Sequence, residues 1–380
     1  MSATPASHVW GRVGRRLRSL AEEAGLDALI LAGKPNIIYA TGIREPSGVM
    51  IVSDKCGDYL ITPLLDYHRM LLGAPREVEV LAAYRKGEED IKPPLPESEV
   101  IDASPTEAAL KILDKCGDVK IGSDMEWQPY NQARVLAERG VVDVSRRIRK
   151  IRSIKEEWEI EAIVRAVGVA EEALRTAINS IGEGVSEAEV ASLINSIIAS
   201  NGGWREAFPS IVAFYQNTAY PHHTPQLVRL GKPGPILVDL GAVVDGYHSD
   251  MTRSFWWGPG GVEYRGVVEA VLEAQAAAID RIAPGVEAWE PDKDARRVLE
   301  RHGLARYFIH GLGHGVGVEI HEEPYMRPGM KTLLEPGMIV TVEPGVYING
   351  LYGVRIEDLA LVTSKGRRIL TSFSRIIDLP

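Results

Sequence analysis

The spacing of apolar residues divides the chain into two regions. Up to about residue 150, short apolar runs alternate with amphipathic segments, a pattern typical of an α/β layer domain. The strands predicted from this pattern are 28–32, 49–52, 59–62, 119–121 and 141–144. The predicted helices are 12–24, 66–72, 107–113 and 130–138. The Pro-rich segment 92–96 is expected to be a surface loop, and we predict an α/β domain over residues 1–150.

Two capping signals mark the start of the second region. Ser153 with Glu156, and Ser186 with Glu189, have the spacing of a capping box, in which a serine side chain and a glutamate side chain cap the same helix start. Each predicts a helix that begins at the serine. The boundary between the domains is therefore expected near residue 150, and the second domain covers residues 151–380.

The second region contains an internal repeat. The helices expected in it form two pairs, 154–181 with 186–200 and 262–282 with 290–302. Strands follow each pair, and their sequences resemble each other, with Asp239 and Glu343 at the same point of an apolar run. Two related halves predict an α+β domain with an internal pseudo-two-fold duplication and a site between the halves.

Asp239 and Asp250 form the first pair of candidate site residues. Asp239 interrupts an apolar strand, where a lone carboxylate is costly unless it is paired, hydrogen-bonded or bound to a metal. Asp245-Gly246 is a strong signal for a two-residue hairpin, whose register sets Asp239 opposite Thr252 and Asp250 on the same face. Such diagonal neighbours lie about 7–8 Å apart, so their side chains can converge on ions about 3.5–4 Å apart.

Glu343 and Glu357 form the second pair, on either side of Asn349-Gly350. A strict two-residue turn there would set the two carboxylates on opposite faces. We therefore predict a three-residue loop at 349–351 or a bulge after Glu343, either of which sets them opposite each other. Arg355 would share the face of Glu357 and can hold a carboxylate.

His314 completes the candidate set, in a segment where glycines alternate from Gly311 to Gly317. Glycines at this density are expected to let the backbone approach an ion or a substrate, and the pattern is not the GxGxxG of a dinucleotide site. Four carboxylates and one imidazole suit two divalent ions such as Mn, Co, Zn or Fe(II). Calcium would not need the histidine, and structural zinc would prefer cysteine.

Three more histidines, His222, His310 and His321, cluster around the carboxylate segments. A single histidine of this kind is commonly an ordinary core or surface residue. Their grouping makes them candidates for contacts to the substrate or for handling protons.

Composition and charge exclude several classes of protein. With 45% hydrophobic and 25% charged residues the chain is globular, and its net charge of −9 disfavours nucleic-acid binding through a broad basic field. No apolar run reaches the roughly 20 residues of a membrane helix. Residues 1–20 are basic without an apolar core, which indicates an amphipathic helix and not a secretory signal. Cys56 and Cys116 are expected to be reduced thiols of a cytoplasmic protein, with a bridge between them as the alternative.

These residues resemble the pita-bread metallopeptidases, which include Xaa-Pro dipeptidase (prolidase), aminopeptidase P and methionine aminopeptidase. The similar segments, within 150–365, are Asp239-Leu-Gly, Tyr247-His-Ser-Asp250-Met-Thr252-Arg253, His310-Gly-Leu-Gly-His314, His321-Glu-Glu-Pro324, Glu343-Pro-Gly and Arg355-Ile-Glu357-Asp358. The first region resembles the creatinase-type N-terminal domain at Asn36-Ile-Ile-Tyr39-Ala-Thr-Gly42. That domain accompanies prolidases and aminopeptidases P but not ordinary methionine aminopeptidases.

The resemblance implies a dinuclear metal centre and a homodimer. Its ligands would be Asp239, Asp250, His314, Glu343 and Glu357, of which Asp250 and Glu357 would bridge two divalent ions. The resemblance also implies that His222 and His321 contact the substrate or intermediate, with His310 nearby. Where the family has Pro-His followed by a small residue, this chain has Pro221-His222-His223; the spacing to Asp239 favours His222, and His223 is the alternative.

The activity implied is hydrolysis of an Xaa-Pro peptide bond by a hydroxide that bridges two ions. Glu343 would take the proton of the water, and His222 or His321 would stabilise the oxyanion or assist the leaving nitrogen. The expected substrates are small peptides with proline at the second position, and neither a nucleic acid nor a membrane is expected as a partner. The alternatives are a non-peptidase C–N hydrolase, as in creatinase or ectoine-type hydrolases, and a silent binding module. The sequence leaves dipeptidase and aminopeptidase undecided.

Overall fold

The computed structural model describes residues 5–85 and 94–377, so the first two residues of the predicted 92–96 loop lie outside the described part. The chain forms two compact units, Met1–Arg152 and Ser153–Pro380. None of the helices in the described residues combines the length and the apolar character of a membrane-spanning helix.

The first unit is built on one seven-stranded mixed sheet with the strand order β5-β4-β3-β2-β1-β6-β7. Its strands are β1 Ala28–Leu31, β2 Val49–Val52, β3 Tyr59–Pro63, β4 Glu79–Ala83, β5 Val100–Ile101, β6 Ile121–Ser123 and β7 Val142–Asp143. Its helices are α1 Pro5–Glu23, α2 Lys34–Thr41, α3 Tyr67–Gly73, α4 Pro105–Asp114, α5 Tyr130–Glu138 and α6 Ser145–Ser153. The predicted α/β class of this unit is confirmed.

Four elements of this unit were not predicted, α2, β4, β5 and α6, and the first two carry no clear periodic signal. In α2 the residues Asn36, Ile37, Tyr39, Ala40 and Thr41 are all buried, so the helix has no polar face to set a 3.6-residue period. The short strand β4 is followed by the charged segment that begins at Arg85.

The sulfur atoms of Cys56 and Cys116 form a disulfide, with the Cα atoms 5.9 Å apart. The expectation of two reduced thiols is therefore wrong, and the alternative, a disulfide between the two cysteines, is confirmed. Both cysteines lie in turns before strands, where sequence alone does not show that the two turns are neighbours. The argument for a reducing compartment that rested on free thiols no longer holds.

The second unit contains four long helices and several small antiparallel sheets. The helices are α7 Glu157–Ser180, α8 Glu187–Ser200, α9 Val262–Arg281 and α10 Trp289–Arg301. The strands are β8 Arg205–Glu206, β9 Ile211–Phe214, β10 Gly234–Leu240, β11 Ala242–Val244, β12 Tyr247–His248, β13 Met251–Trp257, β14 Gly313–Gly315, β15 Glu322–Met326, β16 Ile339–Val342, β17 Gly345–Ile348, β18 Tyr352–Arg355, β19 Asp358–Thr363 and β20 Gly366–Ile369.

The first capping box was placed one turn too early. Ser153 ends α6, and α7 is capped by Glu156, whose backbone N–H donates to the side chain of Glu159 at 2.9 Å. The second capping box is confirmed, since the N–H of Glu189 donates to Ser186 and the Glu189 carboxylate accepts from the Ser186 N–H.

The duplication predicted for this unit is confirmed by the fold. Strands β9, β10 and β13 pair in the order β13-β10-β9 after helices α7 and α8. Strands β14, β16 and β19 pair in the order β19-β16-β14 after helices α9 and α10, with β15 and β20 added at the edges. Each half buries its own apolar core between its helices and its sheet.

Candidate metal centre

The two hairpins that carry the acidic residues have the registers expected from the sequence. Asp239 pairs with Thr252 across β10 and β13, and the turn residues Asp245 and Gly246 both have positive φ, as a type I′ hairpin requires. Asp239 is the second-last residue of its strand, and Asp250 immediately precedes the partner strand. Both are buried, at 7% and 5% exposure.

Glu343 and Glu357 lie opposite each other on the two strands of the second acidic hairpin. The pairs Val342 with Asp358 and Gly345 with Arg355 flank them in one continuous register, joined by a three-residue loop over 349–351. The expected odd-length loop is therefore confirmed. At Glu343 and Glu357 the backbone hydrogen bonds between the two strands of the hairpin are interrupted. The N–H of Glu343 instead donates to the carbonyl of Leu312, and that of Glu357 donates to the carbonyl of Thr252.

His314 lies in the short strand β14, between the two acidic hairpins. Its Nε2 is 3.3 Å from Oε1 of Glu343 and 3.7 Å from Oδ2 of Asp250. Gly311 and Gly313 line the cavity, and the glycines around His314 also have a role that was not expected. A Cβ at Gly313 would lie 2.2 Å from the carbonyl oxygen of Thr341, and one at Gly315 would lie 2.3 Å from that of Glu323, so these glycines let neighbouring strands approach.

All five residues of the expected ligand set line one cavity of about 950 Å³ in the second unit. Ligand atoms of Asp250, His314 and Glu357 lie within 4.8 Å of one another. Asp239 Oδ1 and Glu357 Oε1 are buried and have no hydrogen-bond partner in the described structure. Buried acceptors left without donors, together with hard oxygen ligands and one imidazole, fit a divalent cation.

The carboxylate cluster strongly perturbs its own ionisation. Burial, and then the neighbouring carboxylates, raise the pKa of Asp250 and of Glu357 well above their ordinary values. Burial also raises the pKa of Asp239, although Arg355 opposes this effect. Burial acts in the same direction on Glu343, but its hydrogen bond to His314 and the charges of His314, His310 and Arg355 prevail, and its pKa falls to about 2. Without a cation, this set of carboxylates resists full ionisation.

The candidate histidines also reach this cavity. His222, His310 and His321 line it together with Arg355. Burial, followed by the nearby His314 and His222, lowers the pKa of His321 to about 4, so its imidazole is neutral at neutral pH. His310 also has a lowered pKa because it is buried, and its Nε2 is 3.0 Å from the hydroxyl of Tyr347.

Comparison with known proteins identifies the family. The model of metallopeptidase family M24 matches residues 161–364, and the creatinase/prolidase N-terminal domain matches residues 15–154. The Xaa-Pro dipeptidase of Pyrococcus furiosus is 33% identical over 360 residues, which cover 95% of this chain and 97% of that protein. The chain belongs to metallopeptidase family M24.

Solved structures of M24 proteins share the whole fold. The Xaa-Pro dipeptidase from Bacillus anthracis has a TM-score of 0.83 at 29% identity, covering 96% of this chain and 99% of that one. The X-Pro aminopeptidase from Thermotoga maritima has a TM-score of 0.86 at 26% identity, covering 97% and 99%. The protein is thus a metallopeptidase with the pita-bread fold, and these relatives do not favour the alternative of a non-peptidase C–N hydrolase.

The structure distinguishes His222 from His223, the two adjacent histidines that the sequence analysis gave as alternatives. His222 is exposed within the cavity, whereas His223 is only 8% exposed and its Nε2 lies 2.8 Å from the carboxylate of Glu187. Both histidines line the cavity, but Nε2 of His223 is engaged by Glu187, so the ring of His222 is the more accessible of the two.

Sequence reasoning identified Arg355 but missed Tyr347, Thr252 and Arg327, which lie in or beside the M24 cavity. Arg355 donates to Asp239 Oδ2 at 2.5 Å and to the Tyr347 hydroxyl at 2.7 Å. The hydroxyl of Thr252 donates to Glu357 Oε2 at 2.6 Å. Arg327 also lines the cavity. Tyr347 lies four residues after Glu343, so the alternation of faces along a strand could have indicated that the two share a face. Nothing local marks Thr252 or Arg327 as parts of a site.

Proposed function

We propose that this metallopeptidase is an Xaa-Pro dipeptidase that works with two divalent ions, Mn, Co, Zn or Fe(II). The observation that carries the proposal is the buried cluster of Asp239, Asp250, His314, Glu343 and Glu357 around two carboxylate oxygens without donors. The Pyrococcus and Bacillus relatives named Xaa-Pro dipeptidase support the substrate class.

The charge of the cluster supports two ions over one. Four carboxylates and the buried guanidinium of Arg355 leave three unbalanced negative charges inside the cavity. One divalent ion would leave the site anionic, whereas two would leave it with one positive charge, which favours an anionic ligand such as a peptide carboxylate. The family resemblance implies that Asp250 and Glu357 would contact both ions, and their ligand atoms lie within 4.8 Å of each other and of His314.

When bound, the ions would supply Lewis-acid polarisation of the scissile carbonyl and a lowered pKa for attacking water. The residues of the chain then divide the remaining work. Glu343, ionised at neutral pH, accepts the proton of the nucleophile. His222 and His321 face the cavity and donate to the developing oxyanion or to the leaving proline nitrogen. Arg355 holds Asp239 in place through a charge-assisted hydrogen bond.

Arg327 supports a dipeptide as the substrate. It is exposed at the cavity and stacks over the ring of Tyr325 at 5.6 Å, and no carboxylate among the described residues pairs with it. A guanidinium in this position can pair with the free carboxylate of a C-terminal proline. A longer peptide has an uncharged amide there, so it would lose this interaction.

Cleavage assays test the proposal directly. With Mn or Co supplied, we expect hydrolysis of Ala-Pro, slower hydrolysis of Ala-Pro-Pro and none of Ala-Ala. Replacing Arg327 with methionine should raise KM for Ala-Pro by about tenfold and leave Ala-Pro-Pro nearly unchanged. Replacing the exposed Arg265, which lies outside the cavity, is the matched control. Failure to cleave any proline peptide would refute the assignment.

Metal content and assembly form the remaining parts of the proposal. Elemental analysis of the active protein should give two divalent ions per chain and identify them. We also propose a homodimer, which the family resemblance implies, and sedimentation velocity would distinguish it from a monomer. Small peptides are the proposed partners, and the net charge of −9 disfavours nucleic acid.

A further inference from the structure

Each half of the second unit places a buried acid in the first turn of its second helix. Glu187 is the first residue of α8 and is 0% exposed. Asp292 lies in the first turn of α10 and is 1% exposed. The start of a helix favours a negative charge, because the backbone N–H groups there have no partners within the helix. Both acids, however, accept hydrogen bonds from loops outside their helices, which is more than helix capping requires.

Glu187 binds the segment that carries His222 at four points. Its Oε1 accepts from the backbone N–H of Phe214 at 2.7 Å and from the side chain of Asn217 at 2.9 Å. Its Oε2 lies 2.8 Å from the ring of His223 and accepts from the N–H of Gln226 at 2.9 Å. These four contacts hold the backbone on both sides of His222, so they determine where that side chain enters the cavity.

Asp292 binds the segment that carries His310 in a similar way. Its Oδ1 accepts from the backbone N–H of Leu312 at 3.0 Å. It also pairs with Arg296, one turn along α10, at 2.8 Å. The guanidinium of Arg296 in turn donates to the carbonyls of Phe308 and His310. The pair therefore fixes the backbone before and after His310.

We propose that Glu187 and Asp292 are positioning residues, one in each half, that hold His222 and His310 for the reaction. This inference rests on the proposed peptidase function. Neither acid lines the cavity, so each acts through the loop that it binds. A displacement of about 1 Å in a catalytic group can lower a rate by about a hundredfold. Their action should therefore appear in kcat and only weakly in KM.

Double-mutant cycles test this pairing. We expect Glu187→Gln to lower kcat for Ala-Pro by about tenfold or more, with KM changed less than about threefold. In a His222→Ala background the same change should lower kcat by less than about twofold, because the positioned group is gone. Asp292→Asn and His310→Ala should behave in the same way. The crossed pair, Glu187→Gln with His310→Ala, is the matched control and should be additive within about twofold.

Equal losses in all backgrounds would show a general structural role and overturn the proposal. If Glu187→Gln does not fold, two replacements of His223 keep the test open. His223→Gln retains a donor for Glu187 and should keep kcat within about threefold, whereas His223→Leu should lose about tenfold. Similar kcat values for these two variants would contradict the positioning role of Glu187.

Hydrogen exchange gives a readout that does not depend on the substrate. In Glu187→Gln, the amides of residues 214–226 should exchange at least about tenfold faster, while those of α9 stay unchanged. Unchanged protection of this loop would overturn the inference even in an active enzyme. If wild-type protein cleaves no proline peptide but the loop loses protection as expected, the proposed function fails and the anchoring of the loop stands.

Discussion

Replacing Asp250 with asparagine should stabilise the metal-free protein while it removes stabilisation by metal. Asparagine has nearly the same shape but no charge. The carboxylate oxygens of Asp250 and Glu357 lie within 4.8 Å of each other, and at an effective dielectric constant of about 20 their repulsion is about 3.5 kcal/mol. Partial protonation relieves some of this repulsion at neutral pH, so we expect a gain of about 1–3 kcal/mol in the free energy of unfolding.

The pH dependence gives the sign of the effect. Burial and neighbouring carboxylates raise the pKa of Asp250 and Glu357 in the folded protein. Such groups contribute their full stability below their pKa in the unfolded chain, about 4, and lose it as the pH rises through the folded values. Metal-free wild-type protein should therefore become less stable from about pH 4 upward, and Asp250→Asn should flatten this loss. The pKa of Glu343, lowered to about 2, changes stability only below this range.

Thermal unfolding in chelator and in excess Mn measures both effects. For a unit of this size, about 1–3 kcal/mol corresponds to a rise in Tm of about 3–10 °C for chelated Asp250→Asn at pH 8. Wild-type protein should gain about 2.7 kcal/mol from a metal at a hundred times its Kd, and the variant should lose most of this gain. Asp245→Asn, in the same hairpin but paired with Arg165 at the surface, is the control and should change little. A chelated variant less stable than wild type at pH 8, or one with the full metal response, would refute the reasoning.

Three further predictions concern Thr252, Lys155 and His321. Thr252→Val removes the hydrogen bond to Glu357 and should weaken metal binding by about 10–100-fold in a competition titration, with unchanged affinity as the contrary result. Lys155→Met removes the ammonium group that pairs with buried Glu322 and should cost about 3–5 kcal/mol in urea unfolding. Adding Glu322→Leu should recover most of this loss. Burial lowers the pKa of His321 to about 4, so its imidazole should stay neutral from pH 5 to pH 8. His321→Asn should therefore lower kcat by a similar factor across this range. A loss of kcat confined to one end of the range would contradict a neutral imidazole.

The registers of the acidic hairpins could be predicted from the sequence because strand periodicity restricts which residues can share a face of the sheet. A side chain changes face with every residue, so two carboxylates can share a site only in certain registers. The two-residue turn at Asp245-Gly246 predicted the pairing of Asp239 with Thr252, the rule required an odd loop or a bulge between Glu343 and Glu357, and the structure has that pairing and an odd loop. The cost of a bare carboxylate in an apolar strand then indicated a cation.

Non-local partners could not be predicted in this way. Cys56 and Cys116 meet in space although their turns are 60 residues apart, and no local pattern reports that distance. In α2, burial on several sides removes the alternation on which helix prediction depends. The glycines near His314 were expected to let the backbone approach an ion or a substrate, and Gly311 and Gly313 do line the cavity, but no local pattern showed that neighbouring strands also approach these glycines.

The anchoring acids show most clearly why local patterns are ambiguous. Glu187 follows a serine cap and Asp292 lies in a first turn, so each reads as an ordinary charge at a helix start. Only the fold shows that both are buried and that their acceptor oxygens face the loops of His222 and His310. A duplicated domain can use this arrangement twice, because the second helix of each half begins beside a loop that carries a histidine of the cavity. The repeat therefore provides matching supports for two different histidines.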